Sequence, residues 1–378
     1  MKSIKRTFIA PKESFFLFGP RGTGKSTYLK DNFPKAKLID FLDPETYRSF
    51  IGRPEILKEI VEGNSDKKIF ILDEIQKIPE VLTVVHQLIE TKKKVQFILT
   101  GSSSRKLKRT GVDLLGGRAE LCRMHPFTAK ELGSYFNLES ALKFGLLPLL
   151  YDKSDPSSSL RAYLGLYVKE EVFSEGLVRN IGNFSRFLEA VSFSHASILN
   201  TSNVARESGV ERKTVEGYLS ILEDLLLSFT IPIFSKKAKR DLISHKKFYL
   251  FDAGVFLEMR PKGPLDAPEE IAGASLEGLV AQNLRAYLDY EKKSANLYYW
   301  RTRSGLEVDF VLYGKDIFWA IEVKNSNKIR TEDLKGLQQF LLDYPTCDAY
   351  LLYRGKERLK KDNILCLPIE DFLLEFLK

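Results

Sequence analysis

The feature that most constrains this chain is a glycine-rich motif at residues 19–27. It reads Gly19-Pro20-Arg21-Gly22-Thr23-Gly24-Lys25-Ser26-Thr27 and directly follows the apolar run 15–18. A loop of this spacing between a strand and a helix turns successive backbone N–H groups onto phosphate oxygens, and the start of the helix adds positive potential. The sequence therefore predicts that this loop binds a nucleoside triphosphate; the alternative is a glycine-rich turn that matches by chance.

A second motif, at residues 67–76, completes the expected ATP chemistry. It is an apolar strand that ends in Asp73 and Glu74. Paired acids at the end of a strand beside a phosphate loop predict that Asp73 holds Mg²⁺, together with the Ser26 hydroxyl. Glu74 is expected to polarise the attacking water, while Lys25 reaches the β- and γ-phosphates. The alternative for the two acids is a solvated turn.

Three further residues are candidates for assisting this reaction. Thr100 and Ser102 follow the next apolar strand, so their hydroxyls are expected to sense the γ-phosphate or the water beside Glu74. Arg118, in Gly-Gly-Arg, is a candidate for supplying positive charge to the transition state, within its own chain or to a second copy in an oligomer. Arg21 is the other candidate, and either arginine could instead pair with surface acids.

Composition bounds the class of protein. At 378 residues the chain is longer than the length that one hydrophobic core usually serves, so two or three domains are expected. The three cysteines and four histidines are dispersed, which argues against a disulfide framework and a zinc site. No apolar run reaches membrane-spanning length and no signal-peptide pattern is present, so we expect a cytoplasmic protein without a membrane partner. A net charge of +8 is compatible with nucleic acid.

Hydrophobic patterning divides the chain into three regions. Residues 1–150 alternate short strands with helices, which predicts an α/β domain with a parallel sheet. The strands are expected at 15–18, 37–41, 69–72, 96–100 and 119–123. The polar, Pro- and Ser-rich stretch 151–159 is predicted to be a linker.

The second region, residues 160–255, is predicted to be helical with a winged-helix unit. Residues 201–222 have helix-turn-helix spacing: Ser202 can cap the first helix, Gly209 allows the turn, and Val215, Leu219 and Leu222 share one face. Strands at 229–233 and 247–250 bracket a basic wing. The expected DNA-contacting residues are Arg212, Lys213, Lys236, Lys237, Lys239 and Arg240, with Arg206, Lys246 and Lys247 beside them. The alternative is an interdomain spacer with solvated lysines.

The third region, residues 270–378, contains a carboxylate constellation. A helix at 275–290 and strands at 296–301, 306–313 and 317–324 are expected. Glu322 and Lys324 share one face of their strand. If the turn within 314–316 has two residues, Asp309 lies on that face as well, whereas a three-residue turn places Asp309 on the other side. Asp309 and Glu322 are expected to bind Mg²⁺, with Glu277 as a further ligand and Lys324 activating water. The alternative is a structural ion cluster.

These motifs together resemble a known group of proteins. The patterns F-x-G-P-R-G-T-G-K-S-T, F-I-L-D-E-I-Q-K-I-P, L-T-G-S-S and G-G-R resemble the AAA-type ATPase domain of a prokaryotic family usually named only "ATP-binding protein". Members carry a C-terminal domain of unknown function with a restriction-endonuclease-like fold, and Asp309 with Glu322-x-Lys324 is similar to the PD-(D/E)xK nuclease core. The resemblance implies a P-loop NTPase fold and ATP use.

The function expected from the sequence is Mg²⁺-dependent ATP hydrolysis coupled to conformational change on DNA, in repair, recombination or defence. One alternative is a nucleotide-dependent regulatory switch that binds a protein partner and cuts nothing. Another is an active ATP-dependent endonuclease. The sequence leaves the oligomeric state open.

Overall fold

The computed structural model describes residues 4–91, 94–102, 116–168, 172, 178, 180–235, 246–264 and 266–377. The chain divides into two compact units. The N-terminal unit comprises Arg6–Pro126 and Glu223–Leu227, and the C-terminal unit comprises Met1–Lys5, Phe127–Leu222 and Ser228–Lys378. The expected second and third regions therefore lie within one unit. No helix among the described residues is long and apolar enough to cross a membrane.

The N-terminal unit is built on a five-stranded parallel sheet. Its strands are β1 (Phe15–Phe18), β2 (Lys37–Asp40), β3 (Ile69–Asp73), β4 (Gln96–Gly101) and β5 (Glu120–Arg123), in the order β2-β3-β4-β1-β5. Its helices are α1 (Lys25–Asn32), α2 (Pro44–Phe50), α3 (Ile56–Gly63) and α4 (Val81–Thr91). The strand positions predicted from the sequence are confirmed to within one residue at each end. The three central strands, β1, β3 and β4, are almost fully buried, as a parallel sheet covered on both faces requires.

The C-terminal unit begins with helices. They are α5 (Ala129–Leu132), α6 (Leu138–Phe144), α7 (Pro156–Ala162), α8 (Ile181–Ser192), α9 (Thr201–Ser208) and α10 (Arg212–Asp224), the last ending beyond the unit boundary. The predicted linker is partly wrong, because α7 begins inside it. Asp155 accepts a hydrogen bond from the Ser158 N–H and Pro156 occupies the first turn, so these polar residues start a helix.

A small antiparallel sheet accompanies α8, α9 and α10. Its strands β6 (Ser197–Ile198), β7 (Ser228–Pro232) and β8 (Lys246–Leu250) lie in the order β6-β8-β7. Gly209 ends α9 with φ 63°, which confirms the turn predicted at this residue. The cap of α9 differs from the prediction: Asn200 accepts from the N–H groups of Ser202 and Asn203, so Ser202 is capped rather than capping.

The remaining residues form a six-stranded mixed sheet with flanking helices. Its strands are β9 (Ala295–Arg301), β10 (Glu307–Gly314), β11 (Phe318–Lys324), β12 (Asp348–Tyr353), β13 (Leu359–Lys361) and β14 (Ile364–Pro368), in the order β13-β14-β12-β11-β10-β9. The helices are α11 (Ala253–Met259), α12 (Pro268–Tyr290), α13 (Lys335–Asp343) and α14 (Ile369–Asp371). Helix α12 starts earlier than expected because Pro268 and two glutamates suit a first turn.

One hydrophobic core joins β8 to α12 and the mixed sheet. Tyr249 of β8, Leu279 of α12 and Tyr299 of β9 belong to a single buried cluster, as does Phe310 of β10. The backbone also links these parts, because the Phe234 N–H donates to the Tyr299 carbonyl at 2.6 Å. This shared core is the physical reason that the second and third regions form one compact unit.

Candidate functional site

The phosphate loop has the backbone shape that its glycines predict. It follows the fully buried strand β1, and α1 begins at Lys25. Gly22 and Gly24 have φ values of 83° and 87°, in the left-handed region that side chains other than glycine rarely adopt. A Cβ at Gly19 would collide with the carbonyl of Met124. The sequence therefore dictates this local geometry.

Lys25 is held inside the loop. Its Nζ donates to the carbonyl oxygens of Gly19 at 2.6 Å and Pro20 at 3.2 Å, and the residue is buried. The Thr23 hydroxyl donates to the same Pro20 carbonyl at 2.8 Å. The ammonium and the N-terminal end of α1 thus face the same loop, which gives it the positive potential that phosphate requires.

Arg6 is a contact residue that the sequence analysis missed. Its Nη1 donates to the Thr23 carbonyl at 3.1 Å, and its Nη2 donates to the His125 carbonyl at 2.6 Å. The guanidinium therefore ties the phosphate loop to the segment after β5. No local pattern marks such a residue, because its partners lie 17 and 119 positions away.

Asp73 lies at the centre of a cluster of oxygen atoms. The Ser26 hydroxyl donates to its Oδ2 at 3.2 Å, and the Thr100 hydroxyl donates to its Oδ1. Thr100 reaches it because β4 lies between β1 and β3 in the sheet. A hydroxyl and a carboxylate are the hard oxygen donors that Mg²⁺ takes alongside water and phosphate, so Ser26 and Asp73 fit that cation.

Glu74 has a buried partner, Gln76, that the sequence analysis also missed. The Gln76 Nε2 donates to Glu74 Oε2 at 2.5 Å and to the Ser102 hydroxyl at 3.2 Å. Glu74 itself has φ 59°, an uncommon backbone conformation for this residue. The carboxylate is therefore held by a side chain two positions further along, next to the predicted sensor Ser102. No local pattern marks Gln76, which lies between Ile75 and Lys77.

Arg118 is not beside the phosphate loop of its own chain. It precedes β5, and Glu120 of that strand pairs with Phe15, at the opposite end of β1 from the loop. Its guanidinium instead contacts Glu90, with Nη2 to Oε1 at 2.6 Å, and this pairing lowers the pKa of the Glu90 carboxyl. The structure therefore rules against Arg118 acting within its own chain, while action on a second copy stays a prediction.

The predicted DNA-contacting residues have different surroundings. Arg212 pairs with Glu216 at 2.9 Å, one turn along α10, and Lys213 is exposed. Lys236, Lys237, Lys239 and Arg240 lie outside the described residues. Lys247 is wrong as a DNA contact, because its side chain is only 3% exposed. The pattern of basic residues did not reveal that Lys247 is directed into the protein.

The carboxylates of the mixed sheet do converge. The Gly314 N–H donates to the Ile317 carbonyl at 2.9 Å, so Lys315 and Asp316 form a two-residue turn before β11. Continuing the strand register places Asp309 opposite Glu322. The register of β9 and β10 shifts between Val308 and Val311, so a bulge lies at Asp309. Asp309 Oδ2 accepts from the Val323 N–H at 2.9 Å, which fixes its orientation.

Lys324 and Glu322 form a pair on the same face of β11. The Lys324 Nζ lies 2.6 Å from Glu322 Oε1. Glu322 Oε2 is buried and has no hydrogen-bond partner among the described residues. Burial, reinforced by the charge of Asp309, raises the pKa of Glu322 well above its ordinary value.

Lys247 of β8 provides a cation among the other carboxylates. Its Nζ lies 3.1 Å from Glu277 Oε1 and 3.2 Å from Asp309 Oδ1, and it also pairs with Glu307 Oε1. The Tyr249 hydroxyl donates to Glu277 Oε1 at 2.5 Å. Burial acts to lower the pKa of Lys247, but the surrounding carboxylates outweigh it and raise this pKa well above its usual value.

The cluster does not fit a divalent cation as predicted from the sequence. An ammonium lies between Glu277 and Asp309, two of the three expected ligands. Burial, with the charge of Asp309, raises the pKa of Glu277 to about 7. Across the part of the chain that the structure describes, no group of three or more His, Cys, Asp or Glu side chains is arranged to hold a metal. The predicted second metal site therefore differs from the observed arrangement.

Comparison with family models divides the chain into three consecutive matches. Residues 11–133 match a model described as "AAA domain". Residues 135–266 match "Domain of unknown function (DUF8612)", and residues 272–372 match "Domain of unknown function (DUF4143)". The first match contains the phosphate loop, Asp73 at the end of β3, and Glu74, which follows it. The other two carry no statement of activity.

Two curated relatives resemble the chain over most of its length. They are "Uncharacterized protein Rv2008c" of Mycobacterium tuberculosis and "Uncharacterized protein Mb2031c" of Mycobacterium bovis. Each is 24% identical over 376 residues, covering 94% of this chain and 80% of the relative.

Solved structures give only distant likenesses. AMPPCP-bound DnaA from Aquifex aeolicus has TM-score 0.25 and 14% identity, covering 57% of this chain and 83% of that chain. Protein VC1899 from Vibrio cholerae has TM-score 0.22 and 11% identity, covering 96% of each chain. TM-scores this low carry no weight for fold or function. The AAA-domain match and the geometry around Lys25, Asp73 and Glu74 are what support a nucleotide-dependent ATPase of AAA type.

Proposed function

We propose that this protein is an Mg²⁺-dependent ATPase whose hydrolysis cycle drives a conformational change on DNA. The observation that carries the ATPase part is the arrangement of Ser26, Asp73 and Glu74 beside the phosphate loop. An oxygen pair suited to Mg²⁺ thus lies one residue from a carboxylate suited to general-base catalysis.

Each residue has a defined task in this proposal. Lys25 exchanges its contacts with the loop carbonyls for phosphate oxygens when ATP binds. Ser26 and Asp73 hold Mg²⁺, which neutralises phosphate charge. Glu74 accepts a proton from the attacking water, while Thr100 keeps Asp73 oriented. Gln76, whose amide nitrogen also donates to Ser102, holds the Glu74 carboxylate.

The DNA part of the proposal rests on the C-terminal unit. Helices α9 and α10 are joined by a tight turn at Gly209 and are followed by the β7–β8 hairpin, an order that suits a winged helix. The net charge of +8 and the basic run at residues 236–240 favour contact with a phosphate backbone. Among the described residues, Arg212 and Lys213 are both exposed at the start of α10, and Arg212 pairs with Glu216.

ATP hydrolysis measured with and without double-stranded DNA tests both parts. We expect Glu74→Gln to reduce hydrolysis by at least about 100-fold, as removal of a general base does. Glu80→Gln, an exposed neighbour, is the matched control and should hydrolyse normally. Hydrolysis that survives in Glu74→Gln would contradict the catalytic assignment.

DNA stimulation has its own control. We expect stimulation that declines with salt and weakens in Lys213→Glu, whereas Lys153→Glu, at another exposed position of the C-terminal unit, behaves like wild type. Hydrolysis that ignores DNA at every salt concentration would favour the alternative of a protein-directed switch. Cleavage of DNA that requires Asp309 would favour the endonuclease alternative.

A further inference from the structure

We propose that the ammonium of Lys247 is a built-in cation that replaces a divalent metal in the carboxylate cluster of the C-terminal unit. This inference goes beyond the proposed ATPase function and concerns residues of a different unit. It rests on where Nζ lies, on what surrounds it, and on the charge that it neutralises.

The position of Lys247 is the first support. Its Nζ contacts Glu277 of α12 and both Glu307 and Asp309 of β10, so it bridges two elements as a metal with carboxylate ligands would. The stem of Lys247 enters from β8, which contributes no carboxylate to the cluster. Asp309 lies within the bulge of β10; its Oδ1 accepts from this ammonium, and its Oδ2 accepts from the Val323 N–H.

Burial is the second support. The Lys247 side chain is 3% exposed and that of Asp309 is 11% exposed. A charged lysine is rarely buried to this extent unless it is paired, because moving its charge out of water is costly. Here the pairing is supplied by three carboxylates, so the lysine belongs to the cluster rather than to the surface.

Charge balance is the third support. The cluster contains the acids Glu277, Glu307, Asp309 and Glu322. Lys247, Lys324 and Arg301 pair with them, the last through Glu307 at 3.7 Å. One bound proton on the buried acids therefore leaves the cluster neutral. A second, divalent cation would meet the repulsion of an ammonium only a few ångströms away.

Mn²⁺ titration of the full-length protein by calorimetry tests the proposal. Four proteins form the set: wild type, Asp309→Asn, Lys247→Ala, and Lys247→Ala with Asp309→Asn. Asparagine keeps an oxygen for the Val323 N–H, and alanine leaves space for a hydrated cation. Lys246→Ala, at the exposed neighbouring position, is the matched control.

We expect no Asp309-dependent Mn²⁺ binding in wild type or in Lys246→Ala. Lys247→Ala should bind Mn²⁺ at least about 100-fold more tightly than wild type, since removal of a positive charge within ~4 Å eliminates a strong repulsion. This binding should disappear when Asp309→Asn is added. Because only Asp309-dependent binding is counted, Mn²⁺ taken up near Asp73 does not affect the result.

Two outcomes would overturn the proposal. One is Asp309-dependent binding in wild type with the affinity of Lys247→Ala. The other is a folded Lys247→Ala that shows no Asp309-dependent Mn²⁺ binding. If Lys247→Ala does not fold, Lys247→Ala/Glu277→Gln, which removes one charge of each sign, takes its place with the same expectations. Failure here leaves the ATPase proposal intact, because Glu74→Gln tests that function separately.

Discussion

Gln76 donates a hydrogen bond from Nε2 to Glu74 Oε2 at 2.5 Å, so the proposed catalytic carboxylate is held by a buried side chain of its own turn. The same amide nitrogen donates to Ser102 on the loop after β4. Gly101 leaves the space that Gln76 needs, because a Cβ there would collide with the side-chain amide oxygen Oε1 of Gln76. The turn after β3 and the end of β4 thus together fix the orientation of the Glu74 carboxylate.

Replacing Gln76 should impair catalysis more than ATP binding. In Gln76→Leu, Glu74 loses a hydrogen bond to its charged group, worth ~1.5 kcal/mol, so we expect kcat to fall about ten-fold. KM for ATP should stay near the wild-type value, because Gln76 is not part of the phosphate loop. Steady-state kinetics check this, with the exposed Gln87→Leu as control. A raised KM with unchanged kcat would contradict the positioning role.

Removing the loop ammonium should abolish tight ATP binding. Lys25→Ala deletes the group that donates to the Gly19 and Pro20 carbonyls and that we expect to bind phosphate. Charge-assisted hydrogen bonds of this kind are worth ~1.5–3 kcal/mol, so Kd for ATP should rise by about 10- to 100-fold. Calorimetric titration with ATP measures the change. Lys30→Ala, exposed on the same helix, should bind ATP as wild type does.

Arg118→Ala should leave hydrolysis by dilute protein unchanged. The side chain lies at the end of the sheet away from the phosphate loop and pairs with Glu90 there. We expect kcat per chain equal to that of wild type at low protein concentration. Lost activity that returns when Glu74→Gln chains are added would show instead that Arg118 acts on a second copy.

His195 should make the C-terminal unit less stable in acid. It is buried, stacks on Phe256 and accepts from the Leu250 N–H through Nδ1, and burial lowers its pKa from 6.5 to about 3. The unfolded chain takes up a proton below pH 6.5, whereas the folded chain does so only near pH 3. Stability that is present above pH 6.5 is therefore lost progressively as the pH falls, by ~2 kcal/mol at pH 5.

Urea unfolding at pH 7 and pH 5 measures this loss. Both tryptophans, Trp300 and Trp319, belong to the C-terminal unit, so their fluorescence reports its unfolding. His195→Asn keeps an acceptor for Leu250 and should lack this part of the pH dependence. The comparison separates the effect of His195 on stability from the effects of Asp252 and Glu277. Their raised pKa values make the unit more stable as the pH falls, which is the opposite direction. Equal pH dependence in both proteins would contradict the assignment.

The sequence alone was sufficient to predict the features that depend on residues close together in the chain. The glycines of the phosphate loop require left-handed backbone conformations, and Lys25, Ser26 and Asp73 follow at fixed positions from strand ends. The apolar strands also follow local rules, but the sequence left the length of the turn before β11 open, so Asp309 was placed on the face of Glu322 only on condition that this turn has two residues. Period-two alternation then fixes the face on which Lys324 lies.

Only the tertiary structure decided which distant side chains join these local features. Gln76 meets Ser102 because β3 and β4 are neighbours in the sheet, and Arg6 meets Thr23 although 17 positions separate them in the chain. Because β5 runs parallel to β1, Arg118 before β5 lies near the start of β1, whereas the phosphate loop follows the end of β1. Lys247 looked like one more surface lysine of a basic wing. Packing of β8 against α12 and β10 buried it, and the cost of burying a charge explains why three carboxylates surround it.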